Sequence, residues 1–186
     1  MKRLPLDEQC LSSSLVFSGN LLHVFRDEVA LPSGKRSTRE YIVHPGAVVI
    51  IPWLSPGRIL LERQYRYPLH REFLELPAGK LDKGEDPLKA GQRELLEETG
   101  YVASRWTFLS RMHPCIGYAN EEITVYLAQD LTMTRPQLDE DEIIEVLEIS
   151  LEDALKAVRD GSITDAKTVV GLFWTEKWAR GEWSLS

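Results

Sequence analysis

Residues 79–101 read GKLDKGEDPLKAGQRELLEETGY, which is the most informative stretch of the chain. Its second part predicts a helix over residues 86–99, because Asp86 suits the N-cap and Pro87 suits the first helical position. Gly100 follows at the point where a left-handed residue ends a helix. The glycine-rich and charged segment before the helix is typical of a loop. The stretch therefore predicts a loop that leads directly into a helix.

Three carboxylates share one side of this predicted helix. Glu94, Glu97 and Glu98 are spaced i, i+3 and i+4, so they form a single stripe. Like charges at these spacings repel each other, which favours a positive group nearby. Arg93 is one candidate, and a divalent cation is the stronger one because Mg²⁺ and Mn²⁺ prefer oxygen ligands. On the helix alone a simpler interpretation stays open, a solvated charged face with Lys89 and Arg93 as partners.

The charge of the whole chain limits its classes of partner. The 186 residues contain 22 Lys and Arg against 29 Asp and Glu, a formal net charge of −7 at pH 7. This balance disfavours a broad surface for nucleic-acid phosphates, although a local arginine or a metal can still hold a phosphorylated small molecule. No apolar run approaches the roughly 18 residues of a membrane span, and no signal peptide is recognisable. We therefore expect a cytoplasmic protein without nucleic-acid or membrane partners.

The flanking sequence alternates between strand and helix patterns. A continuous apolar run at 47–51 suits a strand buried on both faces, a second helix begins after Ser150 and ends at Gly161, and a third covers about 165–180 and is stopped by Gly181. Further strands are expected at 15–17, 21–28, 37–43, 59–64, 72–76, 106–110, 123–128 and 143–149. This order predicts an α/β (α+β) fold, a mixed sheet flanked by helices, with an N-terminal antiparallel β-extension.

The polar residues around the first helix resemble a known signature. From Gly79 the chain continues with five residues, Glu85, seven residues and then RELLEETGY, which ends at Tyr101. This resembles the signature of the Nudix hydrolases, G-x5-E-x7-R-E-U-x-E-E-x-G-U, in which U is a bulky apolar residue. Every specified polar and glycine position matches, and only Tyr101 departs from the usual aliphatic residue. The resemblance implies a Nudix-type α/β/α sandwich and metal-assisted hydrolysis of a phosphoanhydride.

The resemblance also implies roles for the residues of the motif. The groups expected to hold the metal are the carboxylates of Glu94, Glu97 and Glu98 and the carbonyl of Ala78. Glu97 would contribute directly or through water, and Arg93 and Glu85 would orient the ligands during catalysis. The expected metal is Mg²⁺, with Mn²⁺ as a substitute.

Segments that flank the motif, one of which overlaps its start, resemble the ADP-ribose pyrophosphatase branch of the family. They are REYIVHPGAV (39–48), QYR (64–66), ELPAGKL (75–81), GYANE (117–121), LDEDE (138–142), SLEDA (150–154) and DAKT (165–168). In that branch an N-terminal β-unit is exchanged between two subunits, and the substrate site is built from both. The resemblance thus implies a homodimer with an exchanged extension over 1–44 and a Nudix domain over 45–186. Expected contacts are Arg66 with the substrate phosphates, Arg39 and Glu40 near the adenine across the dimer, and Glu121 near the ribose.

The acidic segment at 138–142 is expected to supply the general base. Counting backwards from Ser150 favours Glu140, with Glu142 as the alternative. A carboxylate on a loop can swing towards the reacting water only when substrate is present. The simpler interpretation of this segment is a solvated acidic turn.

One feature departs from the pattern of the ADP-ribose pyrophosphatases. They usually carry a proline in a Ser-Pro-Gly loop at the position that Ile116 takes here, whereas the nearest proline of this chain is Pro114. Because proline fixes φ and removes a donor, the shift should reshape the substrate loop. The leading expectation is hydrolysis of ADP-ribose, or of a related nucleoside diphosphate sugar, to AMP and ribose 5-phosphate. The alternatives are another nucleoside diphosphate derivative, such as a GDP-sugar or a dinucleotide, and a Nudix-fold sensor without catalysis.

Overall fold

The computed structural model describes residues 6–135 and 143–184. Its strands are β1 (Gln9–Ser18), β2 (His23–Ala30), β3 (Arg36–Val43), β4 (Ala47–Ser55), β5 (Arg58–Arg66), β6 (Arg71–Glu75), β7 (Ala78–Lys80), β8 (Tyr101–Met112), β9 (Ile123–Met133) and β10 (Ile144–Ser150). Its α-helices are α1 (Pro87–Thr99), α2 (Leu151–Asp160) and α3 (Ala166–Ala179).

The described residues divide into two compact units, of which the first contains residues 6–45 and Cys115–Glu121. Its strands β1, β2 and β3 form an antiparallel sheet in that order. The segment Cys115–Glu121 lies against the end of β3, since the amide of Ile42 donates to the carbonyl of Tyr118 at 2.8 Å. Val29 is the one apolar side chain that is buried among the described residues of this unit. Its sheet therefore has very little hydrophobic core of its own.

The second unit contains Gly46–Pro114 and the described residues from Glu122 onward. Its sheet has the order β10-β5-β4-β9-β8, with β6 paired to β5 and β7 paired to β4. The pair β4 and β9 is parallel, whereas the other pairs are antiparallel. The sheet is therefore mixed, with its parallel pair at the centre.

The central strand β4 separates two hydrophobic clusters. Val48 and Ile50 pack with Leu95 of α1 on one face of the sheet. Val49 and Ile51 pack on the other face, together with residues of α2 and α3 such as Leu172. Successive residues of a strand point to opposite faces, so an uninterrupted apolar run is needed to fill both clusters. The unit is thus an α/β/α sandwich.

The predicted fold class is confirmed, and so are the three helices. Asp86 accepts hydrogen bonds from the first turn of α1, Ser150 caps α2, and both helices end at a left-handed glycine. Helix α3 also agrees with its prediction, because its C-cap is Arg180 and the left-handed Gly181 follows it. Three strands differ from their predictions: β1 and β8 are much longer than the expected 15–17 and 106–110, and β7 has no predicted counterpart. In β1 and β7, serine, glycine or lysine stands at positions where a strand pattern needs large apolar side chains.

Among the described residues no helix has the length and apolar character needed to cross a membrane.

Candidate active site

Strand β7 and helix α1 bring the motif residues together. The short strand β7 pairs with β4 in the register Val48 with Gly79, which places the start of the loop beside the sheet centre. The loop then leads to Asp86, whose Oδ1 accepts from the amides of Leu88 and Lys89 at 3.0 and 3.2 Å. This cap fixes where α1 begins, and with it the direction in which the carboxylate stripe points.

Arg93 is the centre of a network of carboxylates. Its Nε and Nη2 donate to the two oxygens of Glu85 at 3.2 and 3.1 Å. Its Nη1 donates to Glu94 Oε1 at 2.8 Å and to Glu97 Oε2 at 2.9 Å. The hydrogen bond with Glu85 is the main reason that the pKa of Arg93 is raised and that of Glu85 is lowered. One guanidinium therefore orients three of the acidic residues that the motif predicts.

Glu98 is held from the other side of the motif. Glu98 is only 5% exposed, and its Oε2 accepts a hydrogen bond from the amide of Ala78 at 3.1 Å. Glu94 is also buried, at 9% exposed. The helix and the β7 backbone thus meet through the same residues that are expected to hold a metal.

Gly79 makes the close approach of β7 to the helix feasible. A Cβ at this position would lie 1.8 Å from Oε1 and 1.9 Å from the carboxyl carbon of Glu94. Any side chain here would therefore displace the Glu94 carboxylate. The invariable glycine of the resembled signature has a specific physical role in this chain, which is to leave room for a carboxylate.

The donor groups suit a hard divalent cation, because they are carboxylates and one backbone carbonyl gathered beside a glycine. In their present orientation, no three His, Cys, Asp or Glu side chains of the described residues converge into a cation site. Arg93 contacts both Glu94 and Glu97 and sets the orientation of these two donors. The chemistry of the donor set fits a hard divalent cation.

Arg66 lies at the end of β5 in the same unit. Its Nε and Nη2 donate to the two oxygens of Glu75 at 2.7 and 2.8 Å, in a bidentate pair. These hydrogen bonds raise the pKa of Arg66, and the charge of Glu98 contributes to the same shift. An electrostatic interaction therefore links Arg66 to the carboxylate stripe of α1.

The remaining predicted substrate residues belong to the first unit. Arg39 donates from Nε to Glu8 Oε2 at 2.9 Å, and Glu40 lies 3.9 Å from Arg26. Glu121 has a carboxylate oxygen 3.8 Å from Nδ1 of His44. Their expected substrate contacts stay predictions. Glu140 and Glu142 lie outside the described residues.

Sequence reasoning assigned no role to three residues of the charged network behind Arg66. Glu75 receives both hydrogen bonds of Arg66, and Lys167 Nζ contacts Glu75 Oε2 and also Asp165 Oδ2, the latter at 3.0 Å. The signal for Glu75 was an acidic residue within the apolar run of FLELP (73–77). Lys167 lies in the DAKT segment (165–168), whose resemblance to the branch was the one signal, but the contact with Glu75 could not be foreseen because the two residues are distant in sequence.

Comparison with known proteins supports this description. A family model described as the NUDIX domain matches residues 43–169. The chain is 42% identical over 169 residues to an ADP-ribose pyrophosphatase of Bacillus subtilis (strain 168), covering 90% of this chain and 91% of that protein. It is 39% identical over 168 residues to a methanol dehydrogenase activator of Bacillus methanolicus, covering 89% and 91%. The crystal structure of an ADP compounds hydrolase aligns with a TM-score of 0.86 at 26% identity, covering 97% of this chain and 98% of that chain. With the intact motif on α1 and a family model over most of its length, the chain belongs to the Nudix family.

Proposed function

We propose that this protein hydrolyses the pyrophosphate bond of ADP-ribose, or of a closely related nucleoside diphosphate sugar, with the help of a divalent cation. The observation that carries the proposal is the set of carboxylates on α1, which Arg93 and Ala78 orient. The Bacillus subtilis relative is an ADP-ribose pyrophosphatase, which supports ADP-ribose as the substrate. Water adds across one phosphorus–oxygen bond, so that the products are AMP and ribose 5-phosphate.

The residues that would hold the cation are Glu94, Glu97 and Glu98, with the carbonyl of Ala78. Mg²⁺ is the proposed metal and Mn²⁺ its substitute; a bound cation neutralises phosphate charge and makes a nearby water more acidic. Arg93 and Glu85 keep the carboxylates in place, since their mutual hydrogen bonds fix the guanidinium that contacts Glu94 and Glu97. Arg66 binds the substrate phosphates, for which a guanidinium has the right charge and planar donor geometry.

The proton of the attacking water requires a base. We assign this role to Glu140, with Glu142 as the alternative, on the resemblance of the acidic segment alone. The carboxylates of α1 are assigned to the cation instead, and Arg93 already contacts two of them, Glu94 and Glu97.

The proposed assembly is a homodimer in which the N-terminal unit completes the substrate site of the partner. Exposed apolar side chains on this unit support an interface, among them Leu15, Val16 and Phe17, each more than half exposed. In the dimer, Arg39 and Glu40 lie near the adenine and Glu121 near the ribose. We also propose a cytoplasmic location, in agreement with the free thiols of Cys10 and Cys115.

A substrate panel with product identification tests the proposal. The purified protein is incubated with Mg²⁺ and, separately, ADP-ribose, a GDP-sugar and a dinucleotide, and the products are identified by chromatography and mass spectrometry. Preferred turnover of ADP-ribose to AMP and ribose 5-phosphate is expected. Turnover of another compound with none of ADP-ribose would replace the substrate, and binding without turnover of any would favour the sensor.

A further inference from the structure

Glu75 lies at the centre of a compact network of four charges. It accepts both hydrogen bonds of the bidentate pair with Arg66, and it contacts the ammonium of Lys167 on one of the same oxygens. Lys167 in turn donates to Asp165 Oδ2 at 3.0 Å. Two cations and two carboxylates therefore neutralise each other in a chain that runs from α3 to β5.

The Glu75–Lys167 pair is shielded from water. The Glu75 side chain is 5% exposed and that of Lys167 is 15% exposed. Burial alone would raise the pKa of Glu75, but the hydrogen bonds from Arg66 and the charge of Lys167 outweigh it, so this pKa lies below its ordinary value. The carboxylate is thus charged and shared between two cations.

The N-terminus of α3 anchors this network to the strand that leads into the motif loop. Asp165 caps the helix, accepting from the amide of Thr168 at 3.0 Å and from its hydroxyl at 2.6 Å. The same hydroxyl oxygen accepts from the amide of Leu76 at 2.9 Å. Because Leu76 directly follows Glu75, the helix holds both the side chain of Glu75 and the backbone beside it.

A cleft of about 400 Å³ opens beside these groups, and Arg66, Phe73, Glu75 and Lys167 are among the residues that line it. The side chain of Arg66 is 42% exposed, whereas that of its partner Glu75 is almost completely buried. Arg66 can therefore present charge to a ligand while its orientation is fixed from behind.

We propose that Lys167 is a positioning residue that, through Glu75, sets the orientation and the available charge of Arg66 for the diphosphate of the substrate. This inference rests on the proposed function, because it takes Arg66 as the phosphate ligand. By sharing Glu75, Lys167 leaves part of the Arg66 charge uncompensated. Without Lys167 the carboxylate belongs to Arg66 alone, the local charge becomes more negative by one, and the diphosphate binds less tightly.

The test compares Lys167→Met with Lys167→Arg, and uses Lys156→Met on the exposed side of α2 as the matched control. Two readouts are taken: kcat and KM for ADP-ribose with Mg²⁺, and the Kd of inorganic pyrophosphate by calorimetry without metal.

Lys167→Met should raise KM and Kd about ten-fold and change kcat less than about two-fold. Lys167→Arg should restore most of the affinity, and the control should resemble the wild type. Thermal unfolding checks that each variant folds, and Lys167→Gln replaces the methionine variant if that one does not.

A double-mutant cycle with Arg66→Met separates positioning from a general charge effect. If Lys167 acts through Arg66, adding Lys167→Met to the Arg66→Met protein should change Kd less than about two-fold. Additive losses in the cycle, an unchanged Kd and KM in Lys167→Met, or a wild type that does not bind pyrophosphate would each overturn the inference.

The two proposals can fail separately. If the wild type does not turn over ADP-ribose, but Lys167→Met weakens pyrophosphate binding non-additively with Arg66→Met, the substrate proposal fails and the role of Lys167 stands. If ADP-ribose is hydrolysed equally well by both proteins, the role of Lys167 fails and the function stands.

Discussion

At the scale of single residues, the carboxylate of Glu98 connects the helix to the loop. It is almost fully buried and accepts from the amide of Ala78, whose carbonyl is expected to serve the same cation. Glu98→Gln keeps the shape but removes the charge, so we expect kcat for ADP-ribose to fall about 100-fold or more with the fold intact. Product release is measured with Mg²⁺, and thermal unfolding is followed in parallel.

The matched control for this variant is Glu152→Gln, which changes an exposed glutamate on α2. Its kcat should equal that of the wild type. Unchanged product release from Glu98→Gln would show that the carboxylate stripe of α1 does not hold the catalytic cation.

Gly79 leaves the space that the Glu94 carboxylate occupies. In Gly79→Ala the new Cβ would overlap the Glu94 carboxylate, which lies 1.8 Å from it. The atoms that must move are the end of a flexible side chain, so the free energy of unfolding should change by only about 1 kcal/mol. We expect kcat to fall about ten-fold or more, because Glu94 loses its position. Normal activity in this variant would mean that the orientation of Glu94 is not needed.

The motif residues of the site could be predicted from the sequence, whereas the contact between Glu75 and Lys167 could not. The spacing of Glu85, Arg93 and the three helix carboxylates predicts that they meet, because one loop and one helix fix their separation. The pair of Glu75 and Lys167 could not be predicted, since the two residues are 92 positions apart and meet only through the packing of α3 on the sheet. Local geometry is encoded in spacing, whereas such long-range contacts depend on the whole fold.

At the scale of elements, the contact of α3 with the sheet depends on a small residue. A Cβ at Gly171 would lie 2.6 Å from Leu76 Cδ1 and 3.6 Å from Ile51 Cγ1, both in the buried core. Gly171→Ala gains about 1 kcal/mol of helix propensity but overpacks this contact at a cost of about 1–3 kcal/mol. We expect a net loss of stability in urea unfolding. A more stable variant would show that α3 can shift away from β4 without cost.

The ion pair between Glu75 of β6 and Lys167 of α3 predicts a pH dependence of stability. The folded pKa of Glu75 lies below the ordinary value of 4.5, so its contribution to stability is complete above pH 4.5 and is lost as the pH falls through the folded pKa. In Glu75→Gln this loss is absent. We therefore expect the free energy of unfolding of the variant to be lower at pH 7 and to fall less steeply below pH 4.5.

Urea unfolding between pH 7 and pH 3.5 measures this difference, and one titrating group accounts for at most about 1.4 kcal/mol per pH unit. Glu152→Gln on exposed α2 is the control and should follow the wild type. Parallel curves for the wild type and Glu75→Gln would show that the buried pair contributes no charge-dependent stability.

Local sequence patterns determine which helices and strands could be predicted. The three helices have caps and terminating glycines in the sequence, and the central strand has an apolar run long enough to fill both faces. Strand β7 consists of Ala78, Gly79 and Lys80 and has no strand pattern, because its pairing with β4 is imposed by the loop and by the space that Gly79 leaves. Element type is therefore predictable where local propensity and packing agree.

At the scale of the whole molecule, the N-terminal unit predicts association. Its three strands bury a single apolar side chain, Val29, among the described residues, while Leu15, Val16 and Phe17 are each more than half exposed. A small sheet with this distribution gains stability by covering the apolar side chains. We expect the wild type to be a dimer of the 21.2 kDa chain in light scattering.

The double variant Val16→Asp/Phe17→Asp replaces two exposed apolar side chains of β1 with charges. Burying an aspartate in an interface is unfavourable, so the variant should be largely monomeric and its KM for ADP-ribose should rise. Asn20→Asp, which adds a charge in the exposed turn before β2, is the control and should remain dimeric. A wild type that is monomeric at assay concentrations, or a monomeric variant with an unchanged KM, would show that the N-terminal unit does not complete the site of a partner.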